Sequence, residues 1–295
     1  MIETALEIAG DNELLYVSLG VVHWQYVNAA IKADEVHIAR AEELARKVLA
    51  LNPESAAGHA LTGMVHQNQG RPQDAVRSFK KALELDPNES YARGEISRIY
   101  ECVGAVDEAN AAVVEYLKRD PLSVINLCVV LFVAVVSGNP ERAQEEGLRY
   151  LASVTDFPMM RWIVAMAFVH GGKREEAVRV LKAPAEATPT ISGQACRFLR
   201  LALGGQPQDA EACFDPDLLS RARNVEFWSA WVSECYALID RKDRAIDWLQ
   251  NAFRKGYWNY PYTARHSTVF RKLVGDPRFE ELLGRMKTAW ESFKP

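Results

Sequence analysis

Among the residues able to do chemistry in this 295-residue chain, His59 and His66 stand seven positions apart. On a helix that is two turns, so both imidazoles share a face and resemble the beginning of a ligand pair. No H-E-x-x-H accompanies them, and packing between two helices accounts for both rings. His170 precedes Gly171-Gly172, which places it at a helix end, facing solvent or lining a groove. The five cysteines, Cys102, Cys128, Cys196, Cys213 and Cys235, are odd in number and scattered, without a C-x-x-C pair. They read as reduced thiols serving as small core hydrophobes in a cytoplasmic protein. G-x-x-x-x-G-K-[ST], a G-x-G-x-x-G after a strand, H-R-D and D-F-G are all missing. The expectation is a chain that is not itself an enzyme and that needs neither metal nor cofactor.

The bulk numbers narrow the partners. A hydrophobic content of 48% excludes a disordered chain, and a net charge of −4 without any Lys/Arg block argues against nucleic acid or an anionic membrane. No basic segment followed by an apolar stretch marks the N-terminus. The longest apolar run, Leu127 to Val136, falls far short of the roughly 18 to 20 residues needed to span a bilayer. It reads as a helix buried on all sides, so no membrane insertion by this chain is expected. The aromatic run Tyr257 to Tyr262 is expected to seal a terminal cap. Lys173 to Glu176 reads as a solvated turn.

The elements that must hold these residues are legible in a 34-residue rhythm. Gly70, Gly104, Gly138 and Gly172 keep that step, as do Ala75, Ala109, Ala143 and Ala177. Pro53, Pro87 and Pro121 follow it, miss at Thr155 and return at Pro189. With Ala56 as position 1, small residues fall at positions 8, 20 and 27, letting paired helices cross closely, while Phe79 at position 24 fills the gap between them. Glycine at 15 makes the turn and proline at 32 ends the second helix.

The segment A-V-R-S-F-K-K-A-L-E-L-D-P, Ala75 to Pro87, closely resembles the tetratricopeptide consensus, and the period agrees with it. The resemblance implies an all-α, right-handed α-α superhelix with C-terminal capping helices. About seven helix pairs are expected, at 13–55, 56–89, 90–123, 124–157, 158–191, 192–225 and 226–255. The first carries about nine extra residues near 29–37, read as a longer loop, and the sixth has a shortened second helix. Residues 256–295 form the cap, with helices expected near 266–274 and 277–293. Residues 1–12 align with the tail of a unit whose body is missing, as if cut from a longer protein.

The stretch C-Y-A-L-I-D-R-K-D-R-A-I-D-W-L-Q-N-A-F-R-K-G-Y-W-N-Y-P-Y, Cys235 to Tyr262, and L-V-G-D-P-R-F-E-E-L-L, Leu273 to Leu283, resemble the closing segment of bacterial multidomain signalling proteins. Serine/threonine protein kinases, adenylate cyclases and winged-helix regulators carry such a C-terminal tetratricopeptide region. The resemblance implies a sensory or docking module and transfers no catalytic residue.

In such arrays the first helix of each unit lines the concave face through positions 2, 5, 9, 12 and 13. Positions 2, 5 and 9 nominate Met64, Tyr91, Arg98, Ile125, Phe132, Met159, Trp162 and Met166 as a partner-binding groove. Its apolar character suits an amphipathic helix, an extended apolar segment, or another domain of the same protein. The same side chains could instead be buried against one another by tight curvature. Two further readings stay open: a self-association module forming a homodimer, and a helical domain sensing a small molecule.

Overall fold

The computed structural model describes residues 2–32, 35–119, 123–153, 157–181 and 187–294. All regular structure among them is helical. After α1 (Ile2–Ala9) come helix pairs α2 (Glu13–Asn28) with α3 (Glu35–Leu51), α4 (Ala56–Asn68) with α5 (Pro72–Leu85), and α6 (Ser90–Val103) with α7 (Val106–Arg119). α8 (Val124–Val136) pairs with α9 (Pro140–Ser153), and α10 (Pro158–His170) with α11 (Arg174–Val180). α12 (Ile191–Leu203) is followed by two short helices, α13 (Pro207–Glu211) and α14 (Pro216–Ala222), before the pair α15 (Glu226–Leu238) and α16 (Lys242–Arg254). A π-turn (Tyr262–His266), a 3-10 turn (Phe270–Leu273) and α17 (Pro277–Ser292) close the chain.

Local chemistry sets the helix ends. Ser55, Ser123, Thr190 and Asp215 accept backbone N–H bonds from Gly58, Asn126, Gly193 and Leu218, so each starts a helix. Proline stands at the first turn of α5, α10, α13, α14 and α17, where its missing N–H costs nothing. Between the two helices of a pair, Gly70, Gly104, Gly138 and Gly172 take φ of 72°, 75°, 78° and 72°, a left-handed conformation that glycine adopts without steric cost. One bond recurs across these turns: Arg71 N–H to His66 O, Ala105 to Tyr100, Asn139 to Ala134 and Lys173 to Phe168. It is the closure of a glycine-terminated helix, repeated at the period of the sequence. Pro121 and Thr155 lie outside the described residues.

Packing follows the small-against-large rule. A Cβ on Gly63 would come within 2.6 Å of the Phe79 ring, and Ala75, Ala82, Ala109, Ala143 and Ala177 are fully buried. The extra residues of the first pair are largely absorbed by longer helices of 16 and 17 residues, correcting the expectation of a loop over 29–37. Part of that connection, residues 33 and 34, lies outside the described residues. Successive first helices α2, α4, α6, α8, α10 and α12 pack side by side, giving the α-α superhelix. The cap begins as a π-turn and a 3-10 turn instead of a helix over 266–274. Of the long apolar run, every residue of Leu127–Val136 except Val129 is buried.

The concave groove and the strap that closes it

The row of position-9 side chains faces inward, and the chain fills the space in front of it with its own seventh pair. Met64, Phe132 and Met166 are buried, and so is Trp162 at position 5. Trp231 of α15 covers two of them: its indole stacks on that of Trp162 with centroids 3.8 Å apart and 13° between planes, and lies 5.9 Å from the Phe132 ring. These four nominated groove residues are therefore core residues, Phe132, Trp162 and Met166 in one cluster with Trp231, and Met64 in a second. Truncating Trp162 and Phe132 would therefore remove core volume.

Arg98, the charged member of the row, is the electrostatic side of the same closure. Its guanidinium donates to Glu95 (2.6 and 2.8 Å) and to Glu226 at the start of α15 (2.7 Å). Gln67 Nε2 also donates to Glu226, at 2.9 Å, and Arg98 lies over the Phe227 ring at 5.1 Å. Burial opposes the Arg98 charge, but Glu95 and Glu226 outweigh it and hold the group more firmly protonated than usual.

The position-2 row behaves differently. Tyr91 is 41% exposed and Ile125 53%, while Met159 is half-buried. They stand at the N-terminal ends of α6, α8 and α10. The nominated residues thus divide into a covered row and an accessible one.

After α16 the chain runs as a strap across the turns of earlier units. A Cβ on Gly70 would collide with the Arg254 carbonyl oxygen, one on Gly104 would meet Asn259, and one on Gly138 would collide with the His266 ring. Trp258 N–H donates to Cys102 O (2.8 Å), and Asn259 Nδ2 to Glu101 O (2.7 Å). Further on, Trp290 Nε1 donates to Gly104 O (3.2 Å) and Gln73 pairs with the backbone of Lys294. Tyr257 and Tyr262 of the strap are buried, so the aromatic run joins the cap to several units and not to the last repeat alone.

His170 is not at the surface; its side chain is 3% exposed. The backbone N–H of Thr268 donates to its Nδ1 (3.3 Å), leaving Nε2 to carry the proton toward the Tyr262 hydroxyl (2.9 Å). Tyr262 in turn donates to Glu234 Oε1 at 2.5 Å, and Ser267 donates to the same oxygen at 3.3 Å. Burial pushes Glu234 up to about 7 against the hydrogen bonds from Tyr262 and Ser267. Burial, helped by Arg271, pulls His170 down to about 4. The chain of donors is a buried, near-neutral polar link between the fifth pair, α15 and the strap.

The remaining nominated groups are structural. His66 sits between the helices of its pair, with Ser78 Oγ at 3.3 Å, whereas His59 Nε2 contacts Pro53 O at 3.1 Å. Cys102, Cys128, Cys196 and Cys235 are buried and Cys213 is half-buried, all free thiols. Burial pushes Cys102, Cys128 and Cys235 up, away from the reactive thiolate. Lys173 and Arg174 are exposed but tethered, to Gln144 and to the Leu203 carbonyl. The sequence reading missed Gln67, Glu226, Trp231 and Glu234. Gln67 occupies position 12, one of the groove positions, and Glu234 is a carboxylate set inside the apolar helix E-F-W-S-A-W-V-S-E-C-Y; both were readable signals.

Comparison with known proteins agrees with this architecture. Residues 56–89 match the tetratricopeptide repeat model. A tetratricopeptide repeat protein from Parabacteroides merdae has a similar structure, with a TM-score of 0.51 and 16% identity, covering 91% of this chain and 98% of that one. The structure of PilF from Pseudomonas aeruginosa is similar over 68% of this chain and 88% of its own, with a TM-score of 0.52 and 17% identity. The DnaJ homolog subfamily C member 7 homolog of Schizosaccharomyces pombe is 28% identical over 87 residues. That match spans 30% of this chain and only 18% of the relative's length. The fold is that of a tetratricopeptide solenoid.

Proposed function

We propose that this chain is a non-catalytic protein-docking module whose accessible contact surface is the row formed by Tyr91, Ile125 and Met159. The tetratricopeptide fold supports a scaffold that holds other polypeptides, and the filled groove restricts where they can bind. The observation that carries this reading is the contrast between the two rows. Trp231 covers Phe132 and Trp162, and Met64 and Met166 are buried, while at position 2 Tyr91 and Ile125 are exposed and Met159 is half-buried. Apolar groups spaced along parallel helix ends suit an amphipathic helix or an extended apolar segment.

The setting we propose is the cytoplasmic part of a bacterial signalling protein, supported by the resemblance of Cys235–Tyr262 and Leu273–Leu283 to such proteins and by the free, buried thiols. Among the described residues no helix is long and apolar enough to cross a membrane.

A photoreactive residue placed at Tyr91 or Ile125 in cells, with Val274 (63% exposed) as the control, tests the docking surface. The expected result is a discrete protein adduct at the first two positions and none at Val274. An adduct at twice the chain's own mass would favour self-association instead. Equal labelling at all three positions would reject the row as a docking site.

A further inference from the structure

The helix α2 is composed like one with neighbours on every side. Apart from His23, Glu13 is the one charged residue in E-L-L-Y-V-S-L-G-V-V-H-W-Q-Y-V-N, and helices that are apolar all round are ordinarily buried. α8 has no charged residue and α10 only Arg161 besides His170, and each of these packs between two other first helices. α2 has α1, α3 and α4 against it and still leaves a stripe of uncharged side chains uncovered. Leu14 is 72% and Val22 38% exposed, Gln25 and Ala29 are exposed, and Ser18 is half-buried; their spacing puts all five on one helix face. We infer that this stripe is a homodimer interface, with α2 of a second copy of the chain lying antiparallel across it. The inference goes beyond the docking role and rests on different residues.

The far end of the array shows what a solvent-facing end requires. There α17 buries Phe279, Leu282 and Met286 and exposes Arg278, Arg285 and Lys287, the polar outer face that lets a terminal unit meet water. Such a face offers no apolar surface to the stripe on α2, so head-to-tail stacking of copies is disfavoured. A second copy covers the stripe best with its own, which is the closed two-fold arrangement.

The stripe is its own complement. In an antiparallel crossing centred beside Val22, Leu14 meets Ala29 of the other copy, Ser18 meets Gln25, and the two Val22 side chains meet near the axis. That sets a large side chain against a small one at both ends, a hydroxyl against an amide inside them, and methyl groups at the centre. Asp11, just before the N-cap of α2, and Lys32, just past its C-cap, then fall opposite each other twice. Both are exposed. Asp11 accepts from the Tyr16 hydroxyl and Lys32 lies over the Tyr26 ring at 4.9 Å, but neither has an ion-pair partner among the described residues. A parallel arrangement would set Asp11 against Asp11 and Lys32 against Lys32, so charge selects the antiparallel one.

The test is sedimentation equilibrium of the full chain across the micromolar range, where twice the mass of one chain is expected. Val22→Asp sets two carboxylates face to face at the axis and should raise the dissociation constant at least about tenfold. Circular dichroism should show its helix content unchanged, because the side chain lies at the surface of the single chain. Asp11→Lys and Lys32→Asp should each weaken association, and the two together should restore it, because both pairs are then inverted. Tyr91→Asp, on the docking row, should leave the mass unchanged. A single-chain mass at every concentration overturns the inference. So does a dimer that survives Val22→Asp, that the charge swap fails to restore, or that Tyr91→Asp dissociates. A single-chain mass would leave the docking reading at Tyr91 and Ile125 standing, so the two are judged separately.

Discussion

Trp162 and Trp231 lie flat against each other at 3.8 Å, one from the fifth helix pair and one from the seventh, and this stack turns an open superhelical groove into a closed core. A solenoid ordinarily gains its stability from neighbouring units. Here residues distant along the array also touch, so the ends depend on each other.

Removing that stack should be costly. Trp231→Ala is expected to lower the unfolding free energy by about 3 to 5 kcal/mol, the range for aromatic truncation in a core. Urea denaturation followed by circular dichroism measures it. A loss below about 1 kcal/mol would mean that α15 does not hold the groove shut.

The Arg98–Glu226 contact should show strong coupling. Arg98→Met leaves the buried Glu226 carboxylate with only the neutral Gln67 amide and is expected to cost about 3 kcal/mol or more, whereas Glu226→Gln leaves Arg98 its Glu95 partner and is expected to cost less. The double substitution should cost clearly less than the sum. Additive losses in a double-mutant cycle would show that the pair does not act as a unit.

The glycines of the turns separate local strain from strap contact. At Gly172 no atom lies within 4 Å of an added Cβ, whereas at Gly104 it would come within 2.9 Å of Asn259. Gly172→Ala should cost only the left-handed penalty, about 1 to 2 kcal/mol, while Gly104→Ala should cost more and loosen the strap. Hydrogen exchange at Trp258 and Asn259 reports this, with protection expected to fall only in the Gly104 variant. Equal protection in both would place the strap's anchorage elsewhere.

His170 and Glu234 give opposing pH terms. Glu234 is raised to about 7 in the fold, so its contribution is complete below its ordinary value near 4.5 and is lost as pH climbs through 7. His170 is lowered to about 4, so its contribution is complete above 6.5 and is lost as pH falls toward 4. Between about pH 4.5 and 6.5 the two slopes nearly cancel, so the pair adds little to the slope that the chain's other shifted groups, such as Glu101 and His66, set there. Relative to the native chain, Glu234→Gln should tilt the profile upward with pH across that window, and His170→Gln should tilt it downward. Melting temperatures measured from pH 4 to 8 decide it; identical profiles for both variants would dissolve the link.

How far the sequence reached can be judged residue by residue. Gly70, Gly104, Gly138 and Gly172 announced four turns because left-handed backbone is a local requirement that only glycine meets without cost. Gly63 and Phe79 announced a close helix crossing because their contact lies within one unit, and the apolar run of α8 announced a helix buried on every side. Such features depend on neighbours a few turns away, and a 34-residue rhythm records them.

What tertiary structure alone decided is where the array goes after seven pairs. Whether Phe132 and Trp162 face a partner or the chain's own Trp231 depends on small rotations accumulated over successive units, which no single repeat encodes. The burial of His170 and the pairing of Arg98 with Glu226 follow from that same accumulated curvature, because it brings a strap from the end of the chain across turns near its beginning. Local periodicity fixed the hairpins; long-range closure determined which of their faces remain available.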